Sequence, residues 1–135
     1  MNDIKCVFVI DEALPTGLAV NAAAVLAVTI GQRFGHIVGP DVVDASDQAH
    51  TGLTQITLPV LKASNDTIRT IRQEAAQADV FLVDLTDCAQ SARNYDDYQQ
   101  AMALRGGDDL SYRGIALYGS QQTVKRLTKK LPLFS

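Results

Sequence analysis

This chain has little of what would tie it to several large classes of protein. Cysteine is confined to Cys6 and Cys88, which share no metal-ligand spacing and make no disulfide framework. Their setting predicts a reducing cytoplasm. Basic residues are not in excess: the net charge is -3, and a broad polyanion surface would need many lysines and arginines to displace counterions. Nucleic acid is therefore not an expected partner. The opening "MNDIKC" lacks a positive region followed by a signal-type apolar core, so secretion is not expected. The longest apolar run, Leu18 to Ile30, is too short for a membrane span and is interrupted by Asn21 and Thr29. Internal repeats, linkers and low-complexity tracts are also missing.

What is present is the composition of a globular domain, 47% apolar and 20% charged over 135 residues. That length buries one core without staples, so residues 1–135 are expected to form a single domain. "IKCVFVI", Ile4 to Ile10, is apolar on both faces, the pattern of a central strand. A turn containing Pro15 leads into an alanine-, leucine- and valine-rich helix from Gly17 to about Phe34, expected to be buried around most of its circumference. Residues 35–50 read as a loop with a small hairpin at Val42-Val43. Gln55 to Lys62 reads as an edge strand because of Pro59. Ser64, Asn65 and Asp66 cap an amphipathic helix with Ile68, Ile71 and Ala75 inward.

The pattern continues with a buried strand, Val80 to Leu85, and a helix that starts near Cys88, breaks around Asn94 and resumes until Gly106-Gly107. A last strand, Gly114 to Tyr118, turns at Gly119-Ser120 into a helix through Lys130. Together these predict a three-layer α/β/α sandwich around a mixed, mostly parallel sheet of four or five strands.

The blocks "KCVFVIDEALPTGLAVNAAAVLAV", "GPDVVDA", "LPVLKA", "VDLTDCAQSARNYDDY" and "GIALYGSQQTVKRLTKKLPL", in that order, cover most of the chain. They resemble a family of small uncharacterised bacterial proteins related in fold to type II peptidyl-tRNA hydrolase. The hydrolase's opening strand, acidic turn and helix start look like Val7 to Ala23, and its closing strand and helix look like Ile115 to Leu133. The resemblance implies a peptidyl-tRNA hydrolase II-like fold. It does not carry over the catalytic positions: Leu18 stands where the hydrolase has a lysine, and "DDLSYRG" lacks its threonine–glutamine pair. "TGLTQI", Thr51 to Ile56, has similar wording but lies too early in the chain.

Several residues are candidates for function. If the first and last strands are parallel neighbours, Thr16, Gly17 and Asn21 share a rim with Gly119 and Ser120, where two helix N-termini could hold a small anionic or nucleotide-like ligand or a partner. Capping accounts for the same residues without a ligand. Asp11 and Asp84 near strand ends are candidate polar participants in hydrolysis of an ester or amide, or else turn and backbone acceptors. Cys88, with His36 or His50 as base, is a candidate nucleophile, or a buried inert thiol. Lys125, Arg126, Lys129 and Lys130 form a local cationic stripe that suits RNA or an acidic partner, or simply a solvated helix face. The four tyrosines read as packing residues. No metal or cofactor is expected. A homodimer covering the edge strand at Pro59 is a further alternative.

Overall fold

The computed structural model describes residues 3–135. Its main sheet has four strands: β1 (Ile4–Asp11), β4 (Val60–Ala63), β5 (Val80–Thr86) and β6 (Tyr112–Ser120). They lie in the order β4-β1-β6-β5. A separate two-stranded hairpin pairs β2 (Val42–Val43) with β3 (Ala49–His50), where a small hairpin is expected. The helices are α1 (Thr16–Arg33), α2 (Asn65–Ala76), α3 (Asp87–Ser91), α4 (Tyr95–Ala103) and α5 (Gln121–Leu127).

The apolar run of β1 is central, as its sequence implies. Its side chains alternate between two cores, so neither face can be polar. Cys6, Phe8 and Ile10 meet Ala19, Ala22, Leu26 and Ile30 of α1 on one face. Val7 and Val9 meet Ile68, Ile71 and Ala75 of α2 and Val124 and Leu127 of α5 on the other. Gly114 of β6 leaves room for side chains of β1 and α1: a Cβ there would stand 2.8 Å from Ile10 Cδ1 and 3.3 Å from Leu26 Cδ1. Burial pushes the Cys6 thiol up to about 12, leaving it an inert core residue.

The sheet is mixed rather than mostly parallel. Among its neighbours β1 and β4 run parallel, whereas β1 with β6 and β5 with β6 run antiparallel. The connection after β5 folds back on its own start: Arg105, beyond α4, bonds Asp87 at the start of α3 at 2.9 Å, and the Asp87 amide donates to the Ser111 carbonyl at 2.9 Å. The chain re-enters the sheet at the end where it left, with Thr86 pairing with Tyr112.

Two further expectations shift. Residues 55–59 do not extend β4 as a strand; Pro59 has no N–H to offer, although its carbonyl accepts from the Phe8 amide at 3.0 Å. The helix α1 buries a single stripe, and Val20 and Val28 on its outer side are 64% and 73% exposed. A helix lying alone against one sheet face can turn only about a third of its circumference inward.

The outer edge of β4 is closed by the chain's own C-terminal tail. The Lys62 amide donates to the Pro132 carbonyl at 3.0 Å and the Phe134 amide to the Val60 carbonyl at 2.8 Å, with Leu133 opposite Leu61 in antiparallel register. The strand edge on which the homodimer alternative rests is thus occupied from within. The tail reaches it because α5 stops at Leu127, short of Lys130: Lys130 adopts φ 70°, and Pro132 forbids further helix.

Candidate functional site

The two halves of the expected anion rim do not meet. The first and last strands are neighbours, but their antiparallel register places Ile4 against Ser120 and Lys5 against Gly119. Gly119 and Ser120 thus lie at the beginning of β1, whereas Thr16, Gly17 and Asn21 follow its end. The eight residues of β1 separate the two by about 23 Å. Ser120 instead caps α5, accepting from the Thr123 amide at 3.2 Å. Gly119 makes room for Val80, whose Cγ2 would lie 3.1 Å from an added Cβ. Asn21 is exposed on the outer side of α1.

The two candidate carboxylates are likewise apart. Asp11 is buried, accepts from the Ala13 amide at 2.9 Å and faces Arg113 at 3.7 Å. Asp84 sits two strands away, about 10 Å across the sheet, and accepts from Arg72 Nε at 2.7 Å. Each carboxylate has its own arginine, so they form no acid–base pair.

Cys88 is buried beside Arg105, whose Nη1 lies 3.4 Å from its sulfur. The histidines are engaged elsewhere: His36 Nε2 lies 3.4 Å from the Tyr118 hydroxyl, and His50 Nε2 is 2.8 Å from Asp44 in the hairpin. Arg105 also holds Asp87 at 2.9 Å and the Asp109 carbonyl. Burial alone would raise the Asp87 carboxyl. The hydrogen bond from Arg105, that of the Ser111 amide and the charges of Arg105 and Arg113 outweigh burial and hold it below the ordinary range. This knot ties the start of α3 to the loop before β6.

The expected cationic stripe is split, since Lys125 and Arg126 end α5 while Lys129 and Lys130 fall in the turn beyond it. Tyr112 and Tyr118 are packing residues, Tyr112 under Arg69 and Arg72 and Tyr118 stacked on Phe34 with centroids 3.6 Å apart. Among the described residues no group of three acidic, histidine or cysteine side chains is placed to hold a metal ion. No helix among them is long and apolar enough to cross a membrane.

One concavity that combines apolar walls with polar groups lies along β5. It is a cleft of about 370 Å³ between α1, the outer edge of β5 and the α3–α4 segment. Val25 and Leu26 of α1 form one wall, Val83 and Leu85 the floor, and Ala89, Ala92 and Tyr95 the other wall. Thr29, Asp84, Asn94 and Tyr98 bring polar atoms to it. Burial, with the Asp84 carboxylate, Tyr95 and Cys88 nearby, raises the Tyr98 hydroxyl above its ordinary value and keeps it a neutral donor. Tyr95 meets Tyr98 edge to face at 5.4 Å. Arg93, at the rim, is 91% exposed and 3.4 Å from Asp97.

The sequence places the break that makes this cleft, because Asn94 caps α4 by accepting from the Asp97 amide at 2.8 Å. It does not reveal that α1 would form the facing wall. A second groove of about 390 Å³, on the other flank of α1, includes Thr16 with Val20, Val60 and Phe134, and its lining is almost wholly apolar. Sites that discriminate ligands pair apolar walls with a few convergent polar groups, which favours the β5 cleft.

Residues 4–135 match the model of DUF2000, a family described as proteins of unknown function, and the chain belongs to that family. The fold recurs in a solved structure of a protein of unknown function, Atu0240 of Agrobacterium tumefaciens strain C58. That structure superposes with a TM-score of 0.91 at 20% identity, over 100% of both chains. No curated protein matches the sequence.

Proposed function

We propose that this chain is a cytoplasmic binding module which seats an apolar or aromatic group of its ligand in the cleft beside β5, with an adjacent carboxylate at Arg93. The scaffold in this reading is a three-layer, peptidyl-tRNA hydrolase II-like one. Helix α1 on one sheet face with α2 and α5 on the other supports it. Two free, buried cysteines suit a reducing compartment.

The observation that carries the reading is the convergence, in one concavity of about 370 Å³, of aliphatic walls with Thr29, Asp84, Asn94 and the raised-pKa Tyr98. Asp84 is already neutralised by Arg72, so it does not repel an anion. Binding without turnover fits the same residues, since Asp11, Asn21 and Asp84 stand apart and Cys88 has an arginine rather than a histidine beside it.

The test is titration of labelled protein with aromatic monocarboxylates, benzoate and phenylacetate, followed by nuclear magnetic resonance. Saturable shifts centred on Thr29, Ala92 and Tyr98, weakened at least tenfold by Ala92→Trp and unaffected by Val20→Trp on the other flank of α1, are the expected result. Shifts confined to other regions, or none from either acid, would remove the cleft as a site.

A further inference from the structure

The edge of β5 beside the cleft borders no further strand of the sheet. Along β1 the Phe8 and Glu12 amides donate outward toward β4 at 3.0 and 2.9 Å. Backbone groups alternate along a strand, so Val7 and Val9 point to β6. Their partners Leu117 and Ile115 are thereby turned to β1, leaving Ala116 and Gly114 to bond Val83 and Leu85. The N–H and C=O of Leu82 and Asp84 consequently face outward. The Val80 amide obeys the same alternation, turning out to the Ala78 carbonyl at 3.0 Å. Both Leu82 and Asp84 are half-buried, and no hydrogen bond to their main chain from outside the sheet is found among the described residues.

We infer that this edge receives an extended peptide segment of a partner protein as a fifth strand, one that carries apolar side chains at alternate positions and a carboxylate near one end. The inference rests on the cleft being a binding site and names what occupies it. The side chain opposite Val83 would share its sheet face and enter the cleft between Val25 and Tyr95. Main-chain pairing with Leu82 and Asp84 supplies the affinity, and the cleft supplies the choice of side chain.

Two observations point to this occupant. At the opposite edge the molecule receives such a segment of its own: Pro132 to Phe134 pairs with Val60 and Lys62 and packs Phe134 against the α1-side core. In addition, the rim of the β5 cleft carries Arg93, 91% exposed and joined to Asp97 at 3.4 Å, while Asp84 is held by Arg72, so a carboxylate on the incoming segment can compete with Asp97 for the Arg93 guanidinium.

The experiment uses the full chain and a library of acetylated hexapeptides alternating valine, leucine or phenylalanine with serine and ending in aspartate. Each is paired with a version N-methylated on alternate amides, and benzoate is titrated in parallel. The expected result has three parts. Binding is saturable and falls at least tenfold on N-methylation in one alternation frame only. It falls about fivefold with Arg93→Glu. Hydrogen exchange slows at the Leu82 and Asp84 amides when peptide is bound. Benzoate seated in the cleft while no peptide binds, or peptides indifferent to N-methylation, would overturn the strand pairing and leave the cleft reading intact. Failure of both probes would overturn the two together. Sedimentation of the free protein as a dimer with Leu82 and Asp84 already protected would give the edge to a second copy and overturn the peptide assignment.

Discussion

The two edges of the sheet solve one problem in opposite ways. At β4 the unpaired backbone is covered by the chain's own tail, with hydrogen bonds of 3.0 and 2.8 Å at Lys62 and Phe134. At β5 the outward groups of Leu82 and Asp84 are left beside a cleft with an aromatic wall. Open edges invite unwanted pairing and are usually blunted. At β5 the charged groups are local: the Asp84–Arg72 pair sits on the strand at 2.7 Å, and Arg33 lies 5.1 Å over the ring of Phe81. The difference teaches that an edge next to a lined cleft is selective, while an edge without one is best closed.

The largest expected effect comes from abolishing the asymmetry. Deleting residues 132–135 removes two backbone hydrogen bonds and the partly buried Phe134, worth together about 3 kcal/mol. Urea unfolding should show a loss of that order, and light scattering should show self-association through the exposed β4 edge. Unchanged stability would mean that the tail does not close the sheet.

A smaller effect is expected at the carboxyl end of β5, where Asp87 and Arg105 brace the α3–α4 wall of the cleft. The Asp87 carboxyl is depressed in the folded state. Its contribution is therefore present above the unfolded value, about 3.9, and lost as pH falls through the lower folded value. Asp87→Asn should lower stability at pH 7 by about 1 kcal/mol, with the gap to the parent protein closing below pH 4. A gap independent of pH would show that the carboxylate's charge is not what matters there.

The smallest concerns the turn that sends the tail to β4. Lys130 has φ 70°, a conformation that costs a side-chain-bearing residue about 1 kcal/mol. Lys130→Gly should raise stability by about 0.5 kcal/mol, and Lys130→Val should lower it, as read from thermal unfolding.

These regions differ in how well the sequence reveals them. The strand cores of β1 and β5, the face of α2 with its Ser64 cap, and the break at Asn94 all follow from local periodicity and capping chemistry, and each is found where the pattern puts it. The direction of β6 is not local: it goes with contacts between residues far apart in the chain, such as Arg105 with Asp87 and the Asp87 amide with the Ser111 carbonyl. That one inversion separates Gly119 and Ser120 from Thr16 and Asn21 and dissolves the expected rim. The outer face of α1 carries valines beside its few polar residues, so hydropathy could not tell Val28, which is exposed, from Leu26, which is buried. Nothing in "LPLF" announces an edge-closing segment, because its role depends on β4 lying where Lys130 and Pro132 turn the chain.

The most direct measurement is amide hydrogen exchange read residue by residue on the free protein. If β4 is closed and β5 open, the Lys62 amide is protected alongside Phe81, Val83 and Leu85, while Leu82 and Asp84 exchange rapidly. Protection at Leu82 and Asp84 equal to that at Val83 in the monomer, or rapid exchange at Lys62, would contradict the contrast between the two edges.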